Sequence, residues 1–149
     1  VEGLTSVEGG YGRTGSRSPM QWNKGLNAGL STAPAEKLYI PQDPSADRPD
    51  AESQSADPDS LRSEVKKLIA FRQANPALQS RGSIEFISDG CTMIYKRSSG
   101  DQTIFVVINP SAQPAKLPDE VRGEVVYTVG GGISDRTVNG CSAVFIEVR

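Results

Sequence analysis

The amino-acid sequence predicts a mainly β fold, in which a C-terminal antiparallel β-sandwich follows a long loop and a single strong helix. Three observations predict it. Residues 57–75 carry apolar side chains at helical spacing, the chain after them holds short segments typical of strands, and the chain before them has no periodic stretch. The expected regions are a loop at 1–56, a helix at 57–78 and a sandwich domain at 79–149.

The predicted helix begins at Pro58, runs for about five turns and ends at Asn75-Pro76, because proline disfavours helical backbone at the residue before it. Asp57 is the expected N-cap, since its carboxylate can accept the free amides of the first turn. One apolar stripe, with Phe71 at its edge, is formed by Leu61, Val65, Leu68 and Ile69. An apolar stripe needs cover, so we expect the helix 57–75 either to self-associate or to dock on the chain's own sandwich.

Six strands are predicted after the helix, at Ser83–Ser88, Thr92–Arg97, Thr103–Asn109, Ala115–Leu117, Gly123–Val129 and Ser142–Val148. Ile104–Ile108 is a continuous apolar run, which is typical of a central strand buried on both faces. Residues 98–101 have the composition of a hairpin turn.

Residues 1–56 form an unusually long loop, of the kind that is functional, disordered or completed by chain elsewhere. We interpret Asn27–Ser31 as a turn and Lys37–Pro41 as a short extended piece. The acidic residues Asp43, Asp47, Asp50 and Glu52 are expected on a solvated surface loop, because no apolar surroundings would raise their pKa values for catalysis. A start at Val1 is what a processed protein or an excised piece of a longer one would show.

Composition excludes several functions. A net charge of -2 gives no reason to expect nucleic acid or an anionic membrane as a partner, and no run approaches the ~20 apolar residues that span a bilayer. The chain has no histidine, which removes Ser-His and Cys-His nucleophiles and the usual metal ligands. Gly10–Gly15 matches a dinucleotide-binding pattern, but no apolar strand precedes it, and Ser18-Pro19 follows where a helix should open. We therefore predict no catalytic residue, no metal and no cofactor in this chain.

Cys91 and Cys141 are the only cysteines, too few for a disulfide framework or a zinc site. We interpret them as two small apolar residues near strand ends, with a disulfide between them as the alternative. The cellular compartment stays open.

The stretch Arg17–Trp22 combines Met20 and Trp22 with the planar polar groups of Arg17 and Gln21. Such a mixture suits a sugar site, where aromatic faces cover C–H patches and amide or guanidinium groups bond hydroxyls. The alternative is a loop pinned to the fold by a buried Trp and Met. Both interpretations stay open on composition alone.

Two motifs and a helix occur here in an order that resembles the C-terminal part of α-glucosidase-type enzymes in the α-amylase superfamily, glycoside hydrolase family 13. Arg17-Ser18-Pro19-Met20-Gln21-Trp22 is similar to the family's R-[TS]-P-M-Q-W loop, and Asn27-Ala28-Gly29-Leu30 to the N-A-G-[FL] that follows it. The helix matches the family pattern at Asp57, Ser60, Leu61, Lys67, Leu68, Ile69, Arg72, Pro76, Ala77 and Leu78. Oligo-1,6-glucosidases and trehalose synthases are the types it resembles.

The resemblance implies that the loop follows the last strand of a (β/α)₈ barrel, that the helix is the barrel's last, and that the sandwich is the domain after it. Sites of that fold lie on loops at the C-terminal ends of the strands, so the resemblance implies substrate-binding roles for Arg17 and Gln21 at the sugar entrance. It implies a packing role for Trp22. Thr14 follows Arg13 where many relatives have Asp, which departs from the pattern.

The resemblance also implies that the reaction is carried elsewhere. A retaining glycosidase needs two carboxyl groups about 5 Å apart across the sugar bond, and the family takes them from earlier barrel strands. No stretch of this chain matches those strand ends, so we expect the chain alone to be inactive. The implied partner of the parent enzyme is an α-glucan oligosaccharide. A trehalose-synthase-type isomerase and a stand-alone carbohydrate-binding sandwich are the alternatives, although the strands carry no row of exposed aromatics for the latter.

Overall fold

The computed structural model describes residues 7–8, 11–12, 19–38 and 42–148. The chain divides into two compact units, residues 1–65 and residues 66–149, which are described separately below. Arg17 and Ser18 of the first motif lie outside the described residues, as do Tyr39–Pro41 and most of the glycine-rich stretch.

In the first unit, the short strands β1 (Val7–Glu8) and β2 (Tyr11–Gly12) pair antiparallel. Turns of 3-10 type follow at Leu26–Gly29 and Ala35–Lys37, so Lys37 belongs to a turn and not to the extended piece we expected. The helix α1 covers Ala51–Ala56, where we had expected loop. Its sequence has no apolar periodicity, and the helix depends instead on its N-cap.

The helix α2 spans Leu61–Ala74, which is about four turns. The predicted start at Pro58 with Asp57 as N-cap is wrong. Asp57 ends α1, and its oxygens close a turn by accepting the amides of Asp59 at 2.9 Å and Ser60 at 3.3 Å. The cap of α2 is Ser60, whose hydroxyl accepts the amide of Ser63 at 3.2 Å.

The second unit is an antiparallel β-sandwich, as predicted. Its strands are β3 (Ser83–Ser88), β4 (Met93–Ser99), β5 (Gln102–Asn109), β6 (Ala115–Lys116), β7 (Glu124–Val129), β8 (Ile133–Ser134), β9 (Thr137–Val138) and β10 (Ser142–Glu147). One sheet has the order β3-β4-β5-β10-β7 and the other the order β6-β9-β8. The six predicted strands are confirmed to within two residues, and the two-residue strands β8 and β9 were not predicted.

The strand β5 lies at the centre of the larger sheet, which confirms the interpretation of its apolar run. Phe105 and Val107 point into the core between the two sheets, while Ile104 and Val106 belong to a second cluster on the other face. The core between the sheets is made of Ile94, Phe105, Val107, Leu117, Val121, Val138, Val144 and Ile146. A two-residue turn connects β4 to β5. In this turn Gly100 has φ 57°, a left-handed backbone that glycine adopts at little cost.

The second cluster joins α2 to the sheet. Leu68 and Phe71 pack on buried Ala77, Leu78, Ile104, Val106 and Phe145. The expected docking of the helix on the chain's own sandwich is therefore found for Leu68 and for Phe71 at the edge of the stripe, while the other members of the stripe remain exposed: Leu61 by 75%, Val65 by 46% and Ile69 by 52%. Residues 68 and 71 cover the sheet, and residues 61, 65 and 69 form a separate line one turn apart.

Cys91 lies between β3 and β4, and Cys141 directly precedes β10. Both thiols are free and exposed, so the disulfide alternative does not hold for these residues.

Among the described residues, no group of three acidic or cysteine side chains is arranged to hold a metal ion. None of the described helices has the length and apolar character needed to cross a bilayer.

Candidate functional site

The candidate site is the described part of the first motif and the elements that hold it. Gln21 and Trp22 stand against the start of α1. Their carbonyl oxygens accept the amides of Ala51 at 3.0 Å and Glu52 at 2.9 Å. The first amides of a helix have no hydrogen-bond partner within the helix. The carbonyls of Gln21 and Trp22 supply partners for two of these amides, and the same two hydrogen bonds hold the motif against α1.

The other side of the motif is held by the Leu26–Gly29 turn. The amide of Trp22 donates to the carbonyl of Ala28 at 2.8 Å. In this turn Asn27 and Ala28 have φ of 48° and 54°, a left-handed backbone that is costly for residues other than glycine. Two hydrogen bonds of the Asn27 side chain offset the cost of this backbone, because its Nδ2 donates to the carbonyls of Ser31 at 2.8 Å and Ala33 at 2.7 Å.

Gln21, a predicted substrate-binding residue, is half-buried, and its Oε1 is buried with no hydrogen-bond partner among the described residues. Met20 and Trp22 beside it are 52% and 51% exposed. The packing role expected for Trp22 is thus wrong for this structure, since the backbone of Trp22 is the part that is anchored and its ring is accessible. Arg17 lies outside the described residues, so its role stays a prediction.

Asp50 corrects the expectation of an exposed acidic loop. Asp50 is 3% exposed and caps α1, accepting the amide of Ser53 at 2.8 Å on Oδ1 and the Ser53 hydroxyl at 2.7 Å on Oδ2. These bonds, led by the backbone amide, lower the pKa of the Asp50 carboxyl below 3.8. Asp47 is exposed, and the Ser45 hydroxyl lowers its pKa in the same sense.

Asp47 and Asp50 are therefore hydrogen-bonded carboxylates with lowered pKa values. The shift is opposite in direction to the raised pKa of a glycosidase's acid. The sequence did contain an N-cap residue at Asp50, at the start of what proves to be α1. The helix was not predicted because residues 51–56 show no apolar residues at helical spacing. The left-handed backbone of Asn27 was not predicted, although an asparagine within the predicted Asn27–Ser31 turn is a signal that could have indicated it.

Comparison with known proteins agrees with this geometry. The family model described as alpha amylase, catalytic domain, matches residues 2–81. The chain is 34% identical over 109 residues to a protein named probable alpha-glucosidase from Rhizobium meliloti (strain 1021), and 30% identical over 118 residues to the trehalose synthase of Thermus thermophilus. Those matches cover 70% and 72% of this chain.

The crystal structure of the trehalulose synthase MutB from Pseudomonas mesoacidophila MX-45 is similar in fold, with a TM-score of 0.79 and 27% identity over 93% of this chain. The chain spans 26% of MutB, 18% of the Rhizobium protein and 12% of the Thermus protein. The motif, the sandwich and the matched family model agree with one another. The chain belongs to the alpha-amylase family, glycoside hydrolase family 13.

Proposed function

We propose that the whole protein is an α-glucosidase-type retaining glycoside hydrolase that acts on α-linked glucose units of oligosaccharides. Membership of the alpha-amylase family and the alpha-glucosidase name of a relative support the proposal. In the proposed arrangement, residues 1–56 end a (β/α)₈ barrel, the helix within 57–78 is its last, and residues 79–149 form the C-terminal domain.

The observation that carries the role of this chain is the buried, unpaired Oε1 of Gln21, in a residue that directly precedes the half-exposed Trp22 in the sequence. A buried acceptor without a donor costs about 1–3 kcal/mol, and a sugar hydroxyl supplies the missing donor. The Trp22 ring offers a flat apolar face to the C–H side of the same sugar. We assign Gln21 and Arg17 to substrate binding at the entrance of the site.

The bond-breaking groups belong, in this proposal, to parts of the whole protein outside these 149 residues. A retaining mechanism places a nucleophilic carboxylate and an acid about 5–5.5 Å apart, the first forming a glycosyl intermediate and the second protonating the leaving oxygen. The pKa values of the Asp47 and Asp50 carboxyls are lowered, which is the opposite of the shift that such an acid needs. The chain alone is expected to give no turnover of maltose or an aryl α-glucoside.

An isomerase of the trehalose synthase type is the second candidate, favoured by the similarity to proteins named trehalose synthase and trehalulose synthase. Both candidates share the glycosyl intermediate and differ in what accepts the glucose. The products of the whole protein on maltose distinguish them. Release of two glucose molecules per maltose shows hydrolysis, whereas formation of an isomeric disaccharide without net glucose release shows isomerisation.

The binding role can be tested on the chain itself, because Trp22 is its only tryptophan. Titration with maltooligosaccharides should change the Trp22 emission, and Gln21→Leu should weaken that binding by about tenfold. Gln113→Leu, at an exposed position beyond β5, is the matched control and should bind like the unchanged chain. Binding measured by calorimetry with no change in Trp22 emission would instead favour a carbohydrate-binding sandwich.

A second test uses the whole protein. Gln21→Leu should raise KM with little change in kcat, because a bond at the entrance acts equally on bound substrate and transition state. A loss confined to kcat would place Gln21 at the reacting bond and contradict this assignment. Turnover by the 149-residue chain alone would contradict the assignment of the carboxylates.

A further inference from the structure

The first turn of α1 contains three backbone amides that no carbonyl of the same helix can accept, and all three have partners. The first two donate to the carbonyls of Gln21 and Trp22, at 3.0 and 2.9 Å. The third amide, that of Ser53, donates to Asp50 Oδ1 at 2.8 Å. The motif and the Asp50 side chain therefore share the first turn of α1 between them.

The Asp50 carboxylate contacts Ser53 through both of its oxygens. While Oδ1 accepts the Ser53 amide, Oδ2 accepts the Ser53 hydroxyl at 2.7 Å. α1 has six residues, and a helix of this length is not stable in water by itself. The two amides that hold the motif therefore stay in place only while the cap and the contacts at the other end of the helix persist.

The other end of α1 is fixed to the first turn of α2, within the first unit. The carbonyl of Gln54 accepts the hydroxyls of Ser60 at 2.6 Å and Ser63 at 3.2 Å. Gln54 Oε1 accepts the amide of Arg62 at 3.0 Å. α1 is thus a support anchored at its far end, and the position of the motif depends on whether the near end, at Asp50, is formed.

A charge from the chain that follows the motif adds to the Asp50 contacts. The Ser53 amide and hydroxyl lower the pKa of the Asp50 carboxyl most, and the Lys24 ammonium, two residues after Trp22, lowers that pKa further. Lys24 is exposed, so solvent weakens its attraction to the carboxylate. The hydrogen bonds of the cap, more than its charge, therefore hold this end of α1.

We propose that Asp50 is a positioning residue for the substrate: by forming the first turn of α1, it holds the backbone of Gln21 and Trp22 where their side chains meet the sugar. This inference rests on the substrate-binding role proposed above for Gln21. Asp50 does not touch the substrate, and its effect passes through the two backbone hydrogen bonds between α1 and the motif. Its loss should therefore loosen the motif even when no sugar is present.

The first measurement is made without sugar. Trp22 is the only tryptophan of the chain, so the anisotropy of its emission reports on the mobility of the motif. Asp50→Ala should lower that anisotropy in the folded 149-residue chain. Asp50→Asn keeps an acceptor for the Ser53 amide and should restore most of it. Should Asp50→Ala fail to fold, Asp50→Gly is the milder change, because glycine is itself tolerated at an N-cap.

Two controls separate positioning from a general loss of stability. Asp47→Ala removes an exposed acid that precedes α1 and should leave the Trp22 anisotropy unchanged. Phe71→Ala destabilises the second unit and should also leave it unchanged under conditions where the chain stays folded. A purely structural role for Asp50 would lower the urea midpoint without changing the anisotropy of the folded chain, and that result would overturn the proposal.

The second measurement is a calorimetric titration with maltotriose. Asp50→Ala should weaken binding by about fivefold, and Asp50→Asn by about twofold or less. Because Asp50 acts through Gln21, the same Asp50→Ala change should weaken binding by a smaller factor when Gln21→Leu is already present. Asp47→Ala should bind maltotriose like the unchanged chain.

The results distinguish a failure of this inference from a failure of the proposed function. If Gln21→Leu leaves maltotriose binding unchanged, the binding role of Gln21 is wrong and this inference falls with it. If Gln21→Leu weakens binding and Asp50→Ala does not, this inference alone is wrong. Factors for the two changes that multiply fully in the double variant would also overturn it, because they would show that Asp50 acts independently of Gln21.

Discussion

Phe71 in α2 stacks on Tyr127 in β7, with ring centroids 4.6 Å apart and an angle of 19° between the ring planes. Phe145 in β10 meets both rings edge-on, at 5.2 Å from Phe71 and 5.8 Å from Tyr127. These three rings join the helix to the face of the larger sheet. Phe71 thus supplies the aromatic part of the contact between α2 and the second cluster, next to the aliphatic contact of Leu68.

Truncating that side chain should be costly. Phe71→Ala removes two aromatic contacts and leaves a cavity, so the free energy of unfolding should fall by about 3 kcal/mol. Phe86→Ala, in the edge strand β3, is the control: Phe86 is 60% exposed, and its loss should cost about 1 kcal/mol or less. Urea unfolding followed by circular dichroism measures both. Equal losses in the two variants would show that the ring cluster does not stabilise the unit.

This cluster also shows how much of the fold the sequence could predict. The run Ile104–Ile108 identified the central strand, because five apolar residues in succession are only tolerated where both faces are buried. For α2 the same reasoning predicted only part of the arrangement. Periodicity predicted an apolar face, but which members of it were covered depended on the positions of Tyr127 and Phe145, far along the chain.

The sequence did not predict the short elements α1, β8 and β9, because none of them shows a periodic apolar pattern. α1 has no apolar period and exists because Asp50, Gln21 and Trp22 satisfy its first amides, a set of contacts that needs the tertiary structure. β8 and β9 are too short to show alternation. For the candidate site, the motif around Gln21 was identified from residue types, whereas the unpaired Oε1 of Gln21 was not, since unpaired atoms are visible only in three dimensions.

Asn27 should be the residue that stabilises the Leu26–Gly29 turn. Asn27→Ala removes two hydrogen bonds and the residue type best suited to a left-handed backbone, so it should cost about 2–3 kcal/mol. Asn23→Ala is the control, because among the described residues Asn23 Oδ1 accepts just the local amide of Gly25 at 2.9 Å. Denaturation followed by Trp22 emission reports on this turn. A larger loss for Asn23→Ala would contradict the assignment.

The Asp50 cap predicts a pH dependence with a defined sign. Its folded-state pKa lies below 3.8, so the bonds it makes stabilise the first unit at pH values above 3.8 and are lost as the pH falls through the folded-state pKa. Asp50→Ala should therefore lower the unfolding midpoint at neutral pH, and the gap to the unchanged chain should narrow in acid. Midpoints measured across the acid range test this.

Asp50→Asn is the matched control for the same experiment. Asparagine keeps an acceptor for the amide of Ser53 but does not titrate, so most of the midpoint should be retained at neutral pH and the acid-dependent part should disappear. A gap between Asp50→Ala and the unchanged chain that stays constant in acid would show that the carboxylate charge plays no part.

The two thiols should react freely in the folded protein. Cys91 and Cys141 are exposed and form no disulfide, so a thiol reagent should label both without denaturant. Cys91→Ser and Cys141→Ser should each remove one equivalent and change the free energy of unfolding by about 0.5 kcal/mol or less. Labelling that appears only after unfolding, or only after reduction, would contradict the exposure of these residues.

Self-association through α2 stays a prediction, and the exposed line Leu61, Val65 and Ile69 now defines where to test it. Burying such side chains between two copies gains roughly 1.5–3 kcal/mol for each one fully covered, so Val65→Lys should weaken association by tenfold or more. Ile84→Lys, at a residue of β3 that is 53% exposed, is the control and should associate like the unchanged chain. Sedimentation over a range of concentrations measures the effect. A chain that stays monomeric at every concentration would rule out this association, and an equal effect of Ile84→Lys would place the interface on the sheet edge instead.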